Sequence, residues 1–301
     1  WNVMERIIWD QKRWEKEEHK RKQIEAFHDD AAANSLNGGK MDPKELVLLE
    51  MVEDFDMDVD QSGEITSCEL ECHITAETHL LKQRQMSLWL EKLFLLEECK
   101  LHPRVDQQAF RAEQVIRFMP DTEHVIELCN FKVLRSVMSS IVPPLNLSPR
   151  FIFEDGMCKF DLKITIAEGH AEKVDITFPM PDSIVAAPGF QTSGDQSNAV
   201  FGRTTKLFRW QITRLEKSAT LSGQVPLHPM APLPTVGPLI KLKFEVIGLN
   251  VCGVTVQAVE TASESQPRIV LRHVVRSVDS TVQSTIGQVR QAPVVQGGGT
   301  N

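Results

Sequence analysis

Apolar and polar residues alternate with a period of two on both sides of a short turn early in the chain. The alternating apolar positions are Phe55, Met57 and Val59 before the turn QSG, and Leu70, Cys72, Ile74 and Ala76 after it. Because successive side chains of a β-strand point to opposite faces, this period indicates two strands that each bury one face. The segment therefore predicts a β-hairpin.

The same alternation recurs along the chain from about residue 45. It appears in VIRFMP, HVIELCNFKV, CKFDLKITIA, KVDITFPMP, LFRWQITRL, LIKLKFEVI and VTVQAVE, which are separated by connections that contain proline and glycine. Strands with one buried and one solvated face pack as sandwiches. The pattern predicts one long, all-β domain of mostly antiparallel strands.

The two ends of the chain have a different composition. Residues 1–28 interleave Lys, Arg and Glu with few helix breakers, which predicts a charged helix. Its broken apolar stripe fits a docking helix and a solvated linker helix equally well. Residues 29–44 contain Gly38, Gly39 and Pro43 and predict a flexible linker, and residues 286–301 predict a disordered tail.

Composition narrows the class of protein. The 301 residues carry a net charge of −8, and the basic residues near the N-terminus are balanced by Glu, so nucleic-acid binding is not expected. The sequence contains neither an apolar run of spanning length nor a signal peptide, which predicts a soluble, intracellular protein.

Six cysteines are scattered along the chain, which favours reduced thiols over a disulfide framework. Cys68, Cys72 and His73 resemble the start of a zinc site. No second ligand pair with finger spacing follows them, so no metal is expected there.

Residues 58–69, DVDQSGEITSCE, match a calcium-binding EF-hand loop. The ligands of this alternative would be Asp58, Asp60, Ser62, the Glu64 carbonyl and Glu69. An EF-hand also needs a helix after its loop. The following LECHITAETHLL has a strand-like period, and the upstream segment NSLNGGKMDPKE is a poor partner loop. We therefore prefer the hairpin, without a cofactor, and keep calcium as the alternative.

Several segments, in order, resemble the mu homology domain found in clathrin-adaptor medium chains, stonins, muniscins and the coatomer delta subunit. They are ELVLLEMVEDFDMDVDQSGEI, LEECKLHP, VIRFMPDTEHVIELCNFKV, VDITFPMPDS, FRWQITRLEKSATLSGQVPL and LIKLKFEVIGLNVCGVTVQAVE. The resemblance runs from Glu45 to Gln283 and implies a mu homology domain at residues 45–285. It implies an elongated pair of interlocked antiparallel β-sandwich subdomains without enzymatic activity.

The family binds tyrosine-based cargo signals as an added edge strand, with a polar grip on the phenol. Its grip positions fall here on Leu48, Glu50, Glu77, Val270 and Arg272. Only an acidic residue and the arginine match the family pattern. The resemblance therefore implies a degraded tyrosine pocket in a divergent member, with Glu50 and Arg272 expected to form a salt bridge.

The family also docks on phosphoinositide membranes through exposed basic residues. The candidates here are Lys159, Lys163, Arg203, Lys206, Arg209, Lys241 and Lys243. An ordinary solvated face is the competing interpretation of these residues.

These features predict an adaptor or coat-subunit domain in vesicle trafficking. Its expected partners are other coat subunits, cargo tails or accessory proteins, and its expected location is cytoplasmic and peripheral on vesicle, endosome or plasma membrane. The chain lacks the glycine-rich and nucleophile motifs of common enzymes. The alternatives are a calcium-binding module fused to a β domain and a structural scaffold subunit of a coat.

Overall fold

The structure, a computed structural model, describes residues 41–120, 123–134, 141–154, 156–194, 196–262 and 266–287. The predicted helix at residues 1–28 and nearly all of the predicted tail lie outside the described residues. The described chain is almost entirely β-structure, which confirms the predicted fold class. Its one α-helix, α1, spans Gln107–Glu113.

The largest sheet has nine strands. Its strands are β1 Met41–Val59, β2 Ile65–His79, β4 Leu96–Leu101, β6 Glu123–Val133, β9 His170–Pro179, β11 Ser197–Gly202, β12 Leu207–Leu215, β14 Leu239–Ile247 and β16 Gln266–Gln283. Their order across the sheet is β11-β12-β9-β14-β16-β1-β2-β6-β4. The long strands β1 and β16 therefore lie side by side near its centre.

Two smaller sheets complete the fold. One contains β7 Leu145–Glu154, β8 Met157–Ile166, β10 Gly189–Ser193, β13 Ser218–Pro226 and β17 Thr285–Gly287, and the other contains β3 Met86–Glu91, β5 Val115–Phe118 and β15 Thr255–Thr261. The segment from β7 to β13 is inserted between β6 and β14, after which the chain returns through β15 and β16. The subdomains are interlocked for this reason.

Aromatic residues join the nine-stranded and five-stranded sheets. Phe178 and Phe208 of the large sheet stack at a centroid separation of 5.1 Å, and Phe151 and Phe160 of the smaller sheet pack against them. All four rings are buried. Each comes from a strand in which apolar and polar residues alternate, so the period-two pattern accounts for this sandwich.

The predicted hairpin is present. Strands β1 and β2 pair antiparallel from Leu46 opposite His79 to Val59 opposite Ile65. At the turn, Gly63 has φ +88°, which glycine adopts without steric cost. The predicted strands LFRWQITRL and LIKLKFEVI coincide with β12 and β14.

Some boundaries and directions differ from the predictions. Strand β1 begins at Met41, inside the predicted linker, because residues 41–42 pair with β16. Ile286 and Gly287 belong to β17 and not to the tail, because they pair with β7. Both of these pairings are parallel, so the sheets are not purely antiparallel. No helix among the described residues is long and apolar enough to cross a membrane.

Candidate functional site

The structure brings together the five positions predicted for a degraded pocket. Leu48 in β1 lies between Val270 in β16 and Glu77 in β2. Glu50, two residues further along β1, lies opposite Arg272. Residues paired across neighbouring strands share a face, as do residues two apart in one strand. The five side chains therefore belong to one surface of the nine-stranded sheet.

Glu50 and Arg272 form the expected salt bridge. Arg272 Nη1 donates to Glu50 Oε1 at 2.8 Å, and the two side chains are 17% and 20% exposed. Arg272 Nε is buried and has no hydrogen-bond partner among the described residues. A buried donor without an acceptor costs free energy, so an oxygen brought to this nitrogen by local rearrangement would offset that cost.

One side of β16 is unpaired next to this surface. β14 runs beside β16 only from Val274 onward, and no strand in the described part of the chain occupies that side before His273. We call residues 269–272 of β16 the open half and residues 274–283 the covered half. An unpaired row of backbone groups is a template for another strand.

His273 lies at the boundary between the two halves. Its backbone oxygen accepts a hydrogen bond from Gly248 N at 3.0 Å. Its Nδ1 is buried and lacks a partner among the described residues, and burial lowers the pKa of the imidazole. Unpaired polar atoms therefore occur in two consecutive residues where the open half ends.

A second ion pair joins β1 to the covered half. Arg276 binds the carboxylate of Asp54 through two nitrogens, with Nη2 2.9 Å from Oδ2. The hydrogen bond with Asp54 raises the pKa of Arg276. His73 Nε2 lies 3.2 Å from the same carboxylate. Here β14 pairs with β16 through Glu245, so the backbone edge is occupied.

The calcium-loop positions lie in the β1–β2 hairpin. Asp60 Oδ1 accepts hydrogen bonds from Ser62 N, Ser62 Oγ and Glu64 N at 2.6–3.0 Å, and the bond from the Ser62 hydroxyl lowers the pKa of Asp60. Glu69 lies in β2 opposite Asp56. The EF-hand alternative requires a helix after Glu69. The segment there is instead part of strand β2, which pairs with β1 and β6.

The basic candidates fall into separate groups. Arg209 and Lys241 flank Thr177 from opposite sides on the nine-stranded sheet, and Lys243 lies opposite Asp175. Arg209 is bound to Asp175.

The remaining basic candidates lie elsewhere. Lys159 and Lys163 are in β8 of the five-stranded sheet, and Arg203 and Lys206 are in the turn between β11 and β12. Lys159 pairs with Glu154 and Lys206 with Asp182. Acidic partners therefore offset part of the positive charge.

Sequence reasoning missed a buried polar cluster. Glu53, Cys72 and Cys252 each place one ligand-type atom within 4.8 Å of the others. Of the residues Cys68, Cys72 and His73, for which no metal site was expected, only Cys72 belongs to this cluster, and His73 faces the opposite side of β2. Glu53 could have been noticed: it interrupts the buried apolar series Leu49, Met51, Phe55 and Met57 at a position where the alternation requires an apolar residue.

Comparison with known proteins agrees with this architecture. A profile of the adaptor complexes medium subunit family matches residues 37–284. The chain belongs to this family. The AP-3 complex subunit mu of Arabidopsis thaliana is 25% identical over 220 residues, which are 71% of this chain and 51% of that protein. The chain thus spans about half the length of the curated medium subunits that it matches.

Solved mu-homology domains have the same fold. The yeast delta-COP-I mu-homology domain matches with a TM-score of 0.60 and 14% identity, covering 83% of this chain and 100% of that one. The Danio rerio Fcho1 mu homology domain, solved with a bound Eps15 peptide, matches with a TM-score of 0.53 and 11% identity, covering 82% and 98%.

Proposed function

We propose that this adaptor medium-subunit domain captures an extended peptide along the open half of β16. The peptide would come from the cytoplasmic tail of a cargo protein or from a coat-accessory protein, on the cytoplasmic face of a vesicle, endosome or plasma membrane. The unpaired backbone edge beside the surface of Leu48, Val270 and Arg272 carries this proposal. Addition of a strand supplies affinity through main-chain hydrogen bonds, and neighbouring side chains supply specificity.

The side chains at this edge favour ligands other than tyrosine signals. Leu48 and Val270 provide an apolar surface without the aromatic rings that would stack on a phenol, and each lost aromatic pair is worth about 0.5–1.5 kcal/mol. Arg272 already pairs with Glu50, and Glu77 adds a further carboxylate next to Leu48. We expect aliphatic side chains to pack on Leu48 and Val270, with a peptide oxygen accepting from Arg272 Nε.

An array of cytoplasmic-tail and accessory-protein peptides, followed by calorimetry with the full chain, tests the proposal. Arg272→Ala should weaken the best peptide by about tenfold or more, since a charge-assisted hydrogen bond is worth about 1.5–3 kcal/mol. Arg276→Ala is the matched control: it removes the same type of ion pair on the same strand, but beside the covered half. The affinity of the Arg276→Ala variant for the same peptide should stay within about twofold of that of the parent chain.

Backbone pairing can be tested separately with peptides that are N-methylated at alternate residues. One of the two alternation patterns should abolish binding, because an added strand directs alternate N–H groups toward β16. Equal losses in the two arginine variants, or binding that tolerates both methylation patterns, would contradict the edge proposal. Absence of binding across the array would favour the scaffold-subunit alternative.

A phosphoinositide surface is a further part of the proposed function. It is supported by the placement of Arg209 in β12 and of Lys241 and Lys243 in β14, on either side of β9 and on one face of the sheet. Each basic residue near an anionic leaflet contributes about 1 kcal/mol, and salt weakens the attraction. In liposome flotation, Lys241→Ala with Lys243→Ala should reduce binding more than Lys159→Ala with Lys163→Ala. The reverse order would assign binding to the five-stranded sheet.

A further inference from the structure

A buried cluster next to the start of the covered half, where Glu53 pairs with Val275, combines three side chains that suit a metal ion. Glu53 comes from β1, Cys72 from β2 and Cys252 from the loop between β14 and β15. Glu53 is 1% exposed, and both cysteines are 0% exposed. One ligand-type atom from each lies within 4.8 Å of the other two. The fold thus gathers two sulfurs and a carboxylate from distant parts of the sequence.

The Glu53 carboxylate is only half satisfied. Its Oε2 accepts hydrogen bonds from Val251 N at 2.9 Å and Cys252 N at 2.8 Å. Its Oε1 is buried and has no hydrogen-bond partner among the described residues. Burial raises the pKa of Glu53. A carboxylate oxygen that is removed from water needs a donor or a cation to offset the lost hydration.

The loop around Cys252 surrounds its sulfur with polar groups of residues 250 and 254. Val254 N approaches Cys252 Sγ at 3.4 Å, and Gly253 at φ +77° makes the tight turn between them. An N–H group directed at sulfur stabilises negative charge there, as the partners of metal ligands do. Cys252 Sγ donates to Asn250 Oδ1 at 3.6 Å, and Gly253 N donates to the same oxygen at 2.8 Å. Neighbouring ligands of a tetrahedral ion with bonds of about 2.0–2.3 Å are separated by about the same distance as Cys252 Sγ and Asn250 Oδ1.

We propose that Glu53, Cys72 and Cys252 form a zinc site, with Asn250 Oδ1 as the nearest additional oxygen. Two thiolates with a carboxylate suit zinc, whereas calcium and magnesium prefer oxygen ligands alone. On binding, each cysteine releases its proton to solvent and forms a bond from sulfur to the ion, without any change of oxidation state.

The ion would fasten the loop at residues 248–254 to β1 and β2. That loop begins at Gly248, whose N–H group donates to the His273 oxygen where the open half of β16 ends. Zinc binding would therefore fix one end of the proposed peptide groove. The site itself does not depend on the proposed peptide function.

Cobalt titration of the chelator-treated full chain tests the site. A single equivalent of Co²⁺ should produce thiolate-to-metal charge-transfer absorption, which Zn²⁺ displaces. Cys72→Ser and Cys252→Ser should each reduce this absorption and weaken zinc binding by at least about tenfold, since even residues that only support metal ligands have effects of that size. Cys68→Ser is the matched control on the same strand, and its titration should equal that of the parent.

A thiol-protection measurement keeps the test valid if a core variant fails to fold. In the parent chain, stoichiometric zinc should slow the alkylation of Cys72 and Cys252, identified by peptide mass mapping, while the half-buried Cys68 and Cys99 react as before. Absence of charge-transfer absorption in the parent, or absorption that depends on Cys68, would overturn the proposal. So would zinc protection of other cysteines in place of this pair.

Discussion

The open and covered halves of β16 differ in burial although both pair with β1. In the covered half, Val275, Ser277, Ser280 and Val282 are buried, and β14 occupies the neighbouring edge. In the open half, every residue from Ile269 to Arg272 is only partly buried, and no described strand lies beside that edge. One strand thus serves as a central element of the core at one end and as an accessible edge at the other.

This difference shows how one sheet can combine stability with binding. Polar groups of the covered half bind within the protein: Ser280 Oγ accepts from Met57 N, and Asp56 Oδ1 accepts from Ser277 Oγ and two backbone N–H groups. At the end of the open half, Arg272 Nε and His273 Nδ1 have no hydrogen-bond partner among the described residues. Substitutions in the covered half should therefore mainly change the free energy of unfolding, and substitutions in the open half should mainly change the affinity for a ligand.

The largest expected effect is the loss of stability when the covering strand is damaged. Phe244 in β14 is buried against the covered half, and Phe244→Ala should lower the free energy of unfolding by about 3–5 kcal/mol through lost burial and a cavity. Leu271→Ala in the open half should cost about half as much or less, because Leu271 is only partly buried. Urea unfolding of both variants measures the difference, and equal losses would remove the distinction between the halves.

A smaller effect should follow from rebuilding the aromatic grip on the open half. Leu48→Phe, Val270→Trp and Glu77→Lys together supply two rings and a cation on one surface of the sheet. Two aromatic contacts contribute about 1–3 kcal/mol, so affinity for a tyrosine-containing peptide should rise roughly fivefold or more. Fluorescence anisotropy with the matched alanine peptide as control measures this gain. A parent chain that already binds the tyrosine peptide as tightly would show that the pocket is intact.

The covered half was easier to anticipate from sequence than the open half. Alternation in LIKLKFEVI predicted β14 with its bounds, because a strand with one buried face repeats apolar residues every second position. PRIVLR has no such alternation, and its position depends on parallel pairing with β1 over a separation of more than 200 residues. The period of apolar residues indicates which face of a strand is buried. It does not indicate which edge of the strand lacks a neighbouring strand.

The candidate site could be predicted only in part for the same reason. The resemblance to the family named Leu48, Glu50, Glu77, Val270 and Arg272, and the sheet brings them together. The Glu53–Cys72–Cys252 cluster was missed because its members are dispersed and match no metal-ligand spacing. Glu53 alone broke the apolar alternation, and only the return of the chain after β14 brings Cys252 beside it.

A modest pH effect should appear at the boundary between the halves. Burial lowers the pKa of His273 in the folded state, so below the unfolded value near 6.5 the unfolded chain binds the proton more readily. Stability should therefore fall as the pH decreases from about 6.5 toward the folded pKa. His273→Phe should lose less stability over this range. Urea unfolding of the parent and of His273→Phe gives the free energy of unfolding of each at every pH. The difference between the two cancels the contributions of the other titrating groups, including Glu53. A difference that is independent of pH would contradict the assignment of the pH effect to His273.

The smallest expected effect is that of calcium at the hairpin beyond the covered half. Asp58 there accepts a hydrogen bond from the Thr281 hydroxyl, and Asp60 Oδ1 already accepts three hydrogen bonds within its turn. Glu69 lies in a strand and not at the start of a helix. Chelation of calcium by all five positions would therefore break the hydrogen bonds of Asp58 and Asp60 and part of the β1–β2 pairing. Calorimetry of the full chain should detect no site tighter than about millimolar, which is the weak end of natural EF-hand affinities. A micromolar site that is lost in Asp60→Ala would show that the hairpin rearranges to bind calcium. The covered end of β1 would then bind a ligand, as the open half is proposed to do.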